Sequence, residues 1–151
     1  MKSLLIPILT ICLLFLTSCR RDASVEVSTE MDISYKDITG KDLLNPSTQN
    51  YYSSDNIRVF SLSNGVKKEF YNPMMDYPND FLIYNNDSLN LFFIRVFLES
   101  DTVLLQLNQS TTDTLISITD RSHGNEILRK FWYNGILKWE FGTAQVITVL
   151  K

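Results

Sequence analysis

Ten runs rich in β-branched and aromatic residues fill positions 33–150, each bounded by Gly, Asn, Asp, Ser or Pro. No window of about twelve residues carries an i, i+3, i+4, i+7 apolar stripe. This pattern limits the chain more than any other feature. The runs are Ile33 to Ile38, Ile57 to Leu62, Val66 to Tyr71, Phe81 to Tyr84, Leu89 to Leu98, Thr102 to Leu107, Thr114 to Thr119, Glu126 to Tyr133, Ile136 to Phe141 and Gln145 to Leu150. Their residues favour a pleated, half-buried backbone, and the residues between them favour turns. "VEVS", ahead of the first run, offers a further edge strand.

Short strands at this spacing predict an all-β fold, a single antiparallel β-sandwich of about 8–10 strands, immunoglobulin-like in general form. The clearest local element is "FWYNGILKW", because Asn134 and Gly135 both tolerate the positive φ of a two-residue type I′ loop. Strict pairing through that loop sets Tyr133 opposite Ile136, Trp132 opposite Leu137 and Leu128 opposite Phe141. Leu128, Trp132, Leu137, Trp139 and Phe141 are then expected in the core. Phe131, Tyr133 and Ile136 form an outward face, a candidate platform for sugar rings or a partner's side chains. Asn64 and Gly65 offer a second such turn of open register. "FLIYNNDSLNLFFIRV" reads as a third hairpin turning through Asn85 to Ser88. Its second arm is almost continuously apolar, the mark of a strand covered on both faces, so Arg95 within it needs a carboxylate or carbonyl partner.

The amino terminus is built differently. Leu4 to Leu16 form a 13-residue apolar stretch after Lys2, about 20 Å if helical, whereas a bilayer core of about 30 Å needs roughly 20 residues. Residues 1–18 therefore read as an export signal. At its end "LTSC", residues 16–19, resembles the lipobox of bacterial lipoproteins. The resemblance implies cleavage before Cys19, diacylglycerol on its sulfur and anchorage in a membrane, which two or more acyl chains make effectively permanent. By the sorting rules of that family, Arg20 in place of Asp implies the outer membrane, and the single acid in "RRDAS" favours its periplasmic face. Residues 19–32 are expected to be a tether and 33–151 the sandwich domain. Acylation consumes the one cysteine left after cleavage, so no disulfide is expected.

Loss of the signal leaves 13 basic against 17 acidic residues, a net charge of −4, which argues against a nucleic-acid partner. The catalytic inventory is thin. His123 is the one histidine, and its neighbour Ser122 sits in no G-x-S-x-G turn, so no nucleophilic triad is expected. Asp37 and Asp42 in "DITGKD", and Asp76 and Asp80 in "MMDYPND", are too sparse for a calcium loop and read as turn formers. No cofactor is expected. Asp-hydroxyl-aliphatic triplets at Asp87, Asp101 and Asp113 resemble the O-glycosylation sequon of Bacteroidota envelope proteins, which makes Ser88, Thr102 and Thr114 candidate acceptors. "DITGKDLLNP", "SNG", "DTLISI" and "FWYNGILKWE", in that order, are similar to small uncharacterised Bacteroidota lipoproteins, a resemblance that implies an envelope address and a β-sandwich but no activity. The functional expectation is a lipid-anchored, non-catalytic binding or accessory module with an envelope protein or glycan as partner. A small carboxylate-dependent glycan hydrolase or lyase, and a purely structural lipoprotein, are the alternatives.

Overall fold

A computed structural model describes residues 25–151; residues 1–18, read above as an export signal, and Cys19 lie outside the described residues. Among the described residues eleven strands form: β1 (Val27–Ser28), β2 (Glu30–Lys36), β3 (Arg58–Ser63), β4 (Val66–Glu69), β5 (Phe81–Asn86), β6 (Leu91–Phe97), β7 (Thr102–Gln106), β8 (Thr112–Asp120), β9 (Glu126–Tyr133), β10 (Ile136–Glu140) and β11 (Val146–Leu150). Each apolar run yields one strand, and "VEVS" yields β1.

The strands make two sheets that face one another. The larger has the order β1-β9-β8-β7-β3-β4, with β10 also on β9; the smaller has the order β11-β2-β6-β5. Both are mixed, which corrects the antiparallel expectation: β1 runs parallel to β9 and β11 parallel to β2. The exceptions are the first and last strands, which reach their neighbours by long connections; only hairpins impose antiparallel pairing. The folded unit also starts earlier than expected. Met31 is fully buried and Asp32 pairs across β6, so the segment read as a tether supplies β1 and the start of β2.

Between the sheets lie Met31, Ile33 and Tyr35 of β2, Ile94 and Val96 of β6, and Val59, Leu105, Leu115, Leu128 and Phe131 of the larger sheet. Burying each large apolar side chain contributes about 1.5–3 kcal/mol. At one edge β10 and β11 approach each other. At the other, β4 and β5 end their sheets, and the connection between them, residues 70–80, lies over the opening.

The turns follow the local chemistry. Asn134 and Gly135 have φ of 49° and 79°, and Asn64 and Gly65 have 51° and 78°, so both Asn-Gly pairs make two-residue loops. The third hairpin pairs Asn86 with Leu91 and turns through residues 87–90, slightly later than expected. On the outer face of β6, Arg95 finds its carboxylate: Asp32 accepts from Nε at 2.8 Å and Nη2 at 2.9 Å, and from the Tyr84 hydroxyl at 2.7 Å. Tyr84 also stacks on Phe93, which is buried on that outer face, so β6 is covered on both sides.

The expected faces of the β9–β10 hairpin are corrected by two bulges. Opposite β8, pairing passes from Ile118↔Lys130 to Thr119↔Leu128, leaving Arg129 as an extra residue. Opposite β9, it passes from Leu137↔Trp132 to Trp139↔Phe131, leaving Lys138 extra. An unpaired residue reverses the alternation beyond it. Leu128, Phe131, Tyr133 and Trp139 therefore all turn inward, whereas Leu137 and Phe141 are exposed and Trp132 is half-buried on the outer face.

Candidate functional site

At the open β4–β5 edge the sheets leave a cleft of about 460 Å³. Alternation along β3, β4 and β7 supplies its inner wall, with Val59, Ser61, Lys68, Phe70 and Val103 pointing between the sheets. The β6–β7 connection crosses from the small sheet to the large one here and brings in Glu99 and Ser100. Tyr71 and Asn72 form part of the rim. The covering connection is closed on itself, since Asn72 N–H donates to Pro78 O at 2.8 Å, and Tyr77 stacks on Phe97 with centroids 5.3 Å apart.

Asp80 ends that connection and lines the cleft. Its φ of 61° lies in the left-handed region, which Asp tolerates better than most residues. The backbone is fully engaged: its N–H donates to Tyr77 O at 3.0 Å, and its carbonyl accepts Phe97 N–H at 3.2 Å. The side chain is not. Asp80 is 2 % exposed, and its Oδ1 has no hydrogen-bond partner among the described residues. Burial disfavours the charged carboxylate, and the negative charge of Glu99 adds to this, pushing the Asp80 carboxyl up to about 7. Glu99 itself is exposed. Glu69, on the rim, is 3.4 Å from Arg58.

A second buried carboxylate lies under the β9–β10 turn. Asp113 accepts from Lys151 Nζ at 2.6 and 2.8 Å, from Asn134 Nδ2 at 2.9 Å and weakly from the Tyr35 hydroxyl at 3.5 Å. The rings of Tyr35 and Tyr133 stand 5.6 Å from the Lys151 ammonium. The Tyr133 hydroxyl is buried without a hydrogen-bond partner among the described residues, and desolvation, reinforced by Asp113, raises its pKa well above the ordinary phenol range.

The residues singled out from sequence are dispersed. Phe131 and Tyr133 are 0 % and 5 % exposed and belong to the core, which removes them as a ligand platform; Ile136, at 60 % exposure, remains outside at the tip of the hairpin. The outward row on this side is instead Thr102, Ile116, Trp132 and Leu137, neighbours across β7, β8, β9 and β10. Thr102 and Thr114 are half-buried on that outer face, and Ser88 is exposed in the β5–β6 turn. His123, with φ of 56°, lies exposed in a 3₁₀ turn, Ser122–Gly124. Asp37 caps its own turn: its Oδ1 accepts from the Thr39 hydroxyl and the Thr39 and Lys41 N–H groups at 2.7–2.9 Å, which holds its carboxyl below the usual range. Asp42 caps Leu44 N–H and reaches Phe92 N–H at 2.7 Å. Among the described residues no group of three or more His, Cys, Asp or Glu side chains could hold a metal ion. Sequence reasoning noted Asp80 only as a turn former; the "PND" ahead of an apolar run announces the turn and carries no sign of burial.

No family model, curated protein or solved structure matches the chain.

Proposed function

We propose that this chain is a non-catalytic binding module of the bacterial envelope, anchored at the outer membrane by lipid on Cys19, which takes its ligand into the β4–β5 cleft. The anchor rests on the "LTSC" sequence after a short apolar signal. The binding role rests on one observation: Asp80, a carboxylate only 2 % exposed whose Oδ1 has no hydrogen-bond partner among the described residues, lines an open cleft. A buried polar group without a partner costs about 1–3 kcal/mol, and a ligand that donates to it recovers much of that.

Two measurements test this reading. Cys19→Ser is expected to move the protein from the membrane to the soluble fraction. A thermal-shift screen of glycan fragments and small amines on the lipidated protein in detergent is expected to give ligands that stabilise the wild type and not Asp80→Asn. Membrane release with an empty screen would favour a purely structural lipoprotein.

A catalytic reading has one observation in its favour. A carboxyl titrating at about 7 beside a second acid suits general acid–base work on a glycan. Metal-independent turnover in a broad hydrolase screen, abolished by Asp80→Asn, would replace the binding reading with this one.

A further inference from the structure

We infer that the β4–β5 cleft is a site for a primary ammonium group on a short aliphatic stem, with Asp80 and Glu99 facing the charge and Val59, Phe70 and Val103 lining the stem. The inference deepens the binding reading above and rests on it.

Three physical features select this chemistry. The Asp80 carboxylate lines the cleft and, once ionised, only accepts hydrogen bonds, so a ligand that pairs with it brings a donor. The charged groups around the cleft are Lys68, Glu69, Asp80 and Glu99, with Arg58 engaged by Glu69. Lys68 brings one positive charge against Asp80 and Glu99, so with Asp80 ionised the cleft carries one excess negative charge, which disfavours anions and leaves a neutral sugar without charge complementarity. A multivalent metal ion needs more oxygen ligands than this lining concentrates in one place, whereas an ammonium is satisfied by two or three acceptors. Ser61 and Ser100 also line the cleft; their hydroxyls donate to Lys68 O at 3.5 Å and Thr102 O at 2.9 Å, which leaves their lone pairs to accept. Behind them the wall is apolar, and Val59 and Val103 are buried in it. Methylene groups gain about 0.8 kcal/mol each there, which a bare ammonium ion would forgo. Tyr71 adds an aromatic side chain at the rim, the kind of group that attracts a cation.

A free small amine and a lysine side chain on a polypeptide present the same group. Its capture is also tied to acidity, because an alkylammonium keeps its proton from pH 6 to 8 while Asp80, titrating at about 7, passes from mostly neutral to mostly ionised.

Calorimetric titration of the lipidated protein in detergent tests this with three probes: n-butylamine, butan-1-ol and Nα-acetyl-lysine methylamide. n-Butylamine is expected to bind at pH 8, at least tenfold more tightly than butan-1-ol, and to weaken about tenfold at pH 6. Asp80→Asn is expected to weaken it at least tenfold at pH 8. Glu99→Gln, at an exposed position that folding tolerates, should weaken it several-fold, while Lys68→Met should strengthen it by removing a like charge. Equal or tighter binding of the lysine probe assigns the site to a polypeptide side chain, and binding more than tenfold weaker assigns it to free amines. Butan-1-ol binding as well as the amine, or amine affinity unmoved by pH and by both carboxylate variants, overturns the ammonium assignment. If a neutral ligand from the thermal screen still depends on Asp80, the cleft stands and only its ligand class falls; if no ligand of any class binds, both readings fall together.

Discussion

Asp80 and Asp113 are the same side chain at the same depth, each 2 % exposed, yet their surroundings differ in kind. Asp113 is held by an ammonium, an amide and a tyrosine hydroxyl, all from this chain. Asp80 has one oxygen with no partner among the described residues and a second acid nearby. The contrast teaches how to read buried charge. A saturated carboxylate cross-links the fold: here it ties β8 to the β9–β10 turn and to the residue after β11. An unsaturated one is a standing cost that the rest of the core must offset, and such costs persist where something outside the chain relieves them.

Breaking the saturated pair should have the largest effect. Lys151→Ala leaves Asp113 buried without its cation and is expected to cost about 3–5 kcal/mol in urea unfolding. A loss below about 1 kcal/mol would show that Asn134 and Tyr35 suffice, and would narrow the contrast between the two carboxylates.

The reverse sign is expected at the other site. Asp80 titrates at about 7 in the folded chain against the usual 3.8, so the folded form retains a proton that the unfolded form has lost between those values. Its contribution to stability is complete below about pH 4 and is lost as the pH rises through 7. Asp80→Asn should therefore stabilise the protein by about 1–3 kcal/mol at pH 8 and change little at pH 4. Thermal melts at the two pH values decide this, and a variant that is destabilised at both would show a partner for Asp80 within the fold.

Smaller effects sharpen the comparison. Tyr133→Phe removes a buried hydroxyl that has no hydrogen-bond partner among the described residues, so its cost in the same urea assay should stay within about 1 kcal/mol. Glu99→Gln should lower the Asp80 titration midpoint by less than about one unit, as followed by carboxyl-carbon NMR, because burial outweighs the neighbouring charge.

The strands and the Asn-Gly hairpins were legible because their signals are local: β-branched runs, and residue pairs that accept positive φ. The partner for Arg95 was legible as a need, since a strand covered on both faces cannot leave a guanidinium alone, although nothing in the sequence named Asp32. The hairpin faces were not legible. Arg129 and Lys138 have no local signature of a bulge, and each unpaired residue exchanges inside for outside beyond it. Asp80 was legible as a turn residue, which its φ confirms, but its burial depends on residues 70–80 closing over the sandwich edge and on Glu99 arriving from a different connection. The polar pair around Asp113 was hidden for the same reason: "DTL" looks like a turn followed by a strand, and its cation comes from Lys151, far along the chain.

The position of β2 has a mechanical consequence. It lies inside the smaller sheet, flanked by β11 and β6, and the chain reaches it through two residues of β1 held along β9. A tug applied at the amino-terminal side meets that brief strand first. Beyond it, the pull must slide β2 lengthwise against two neighbours at once rather than peel a border strand bond by bond, so the body of the fold resists being unravelled from the end by which a leash would hold it.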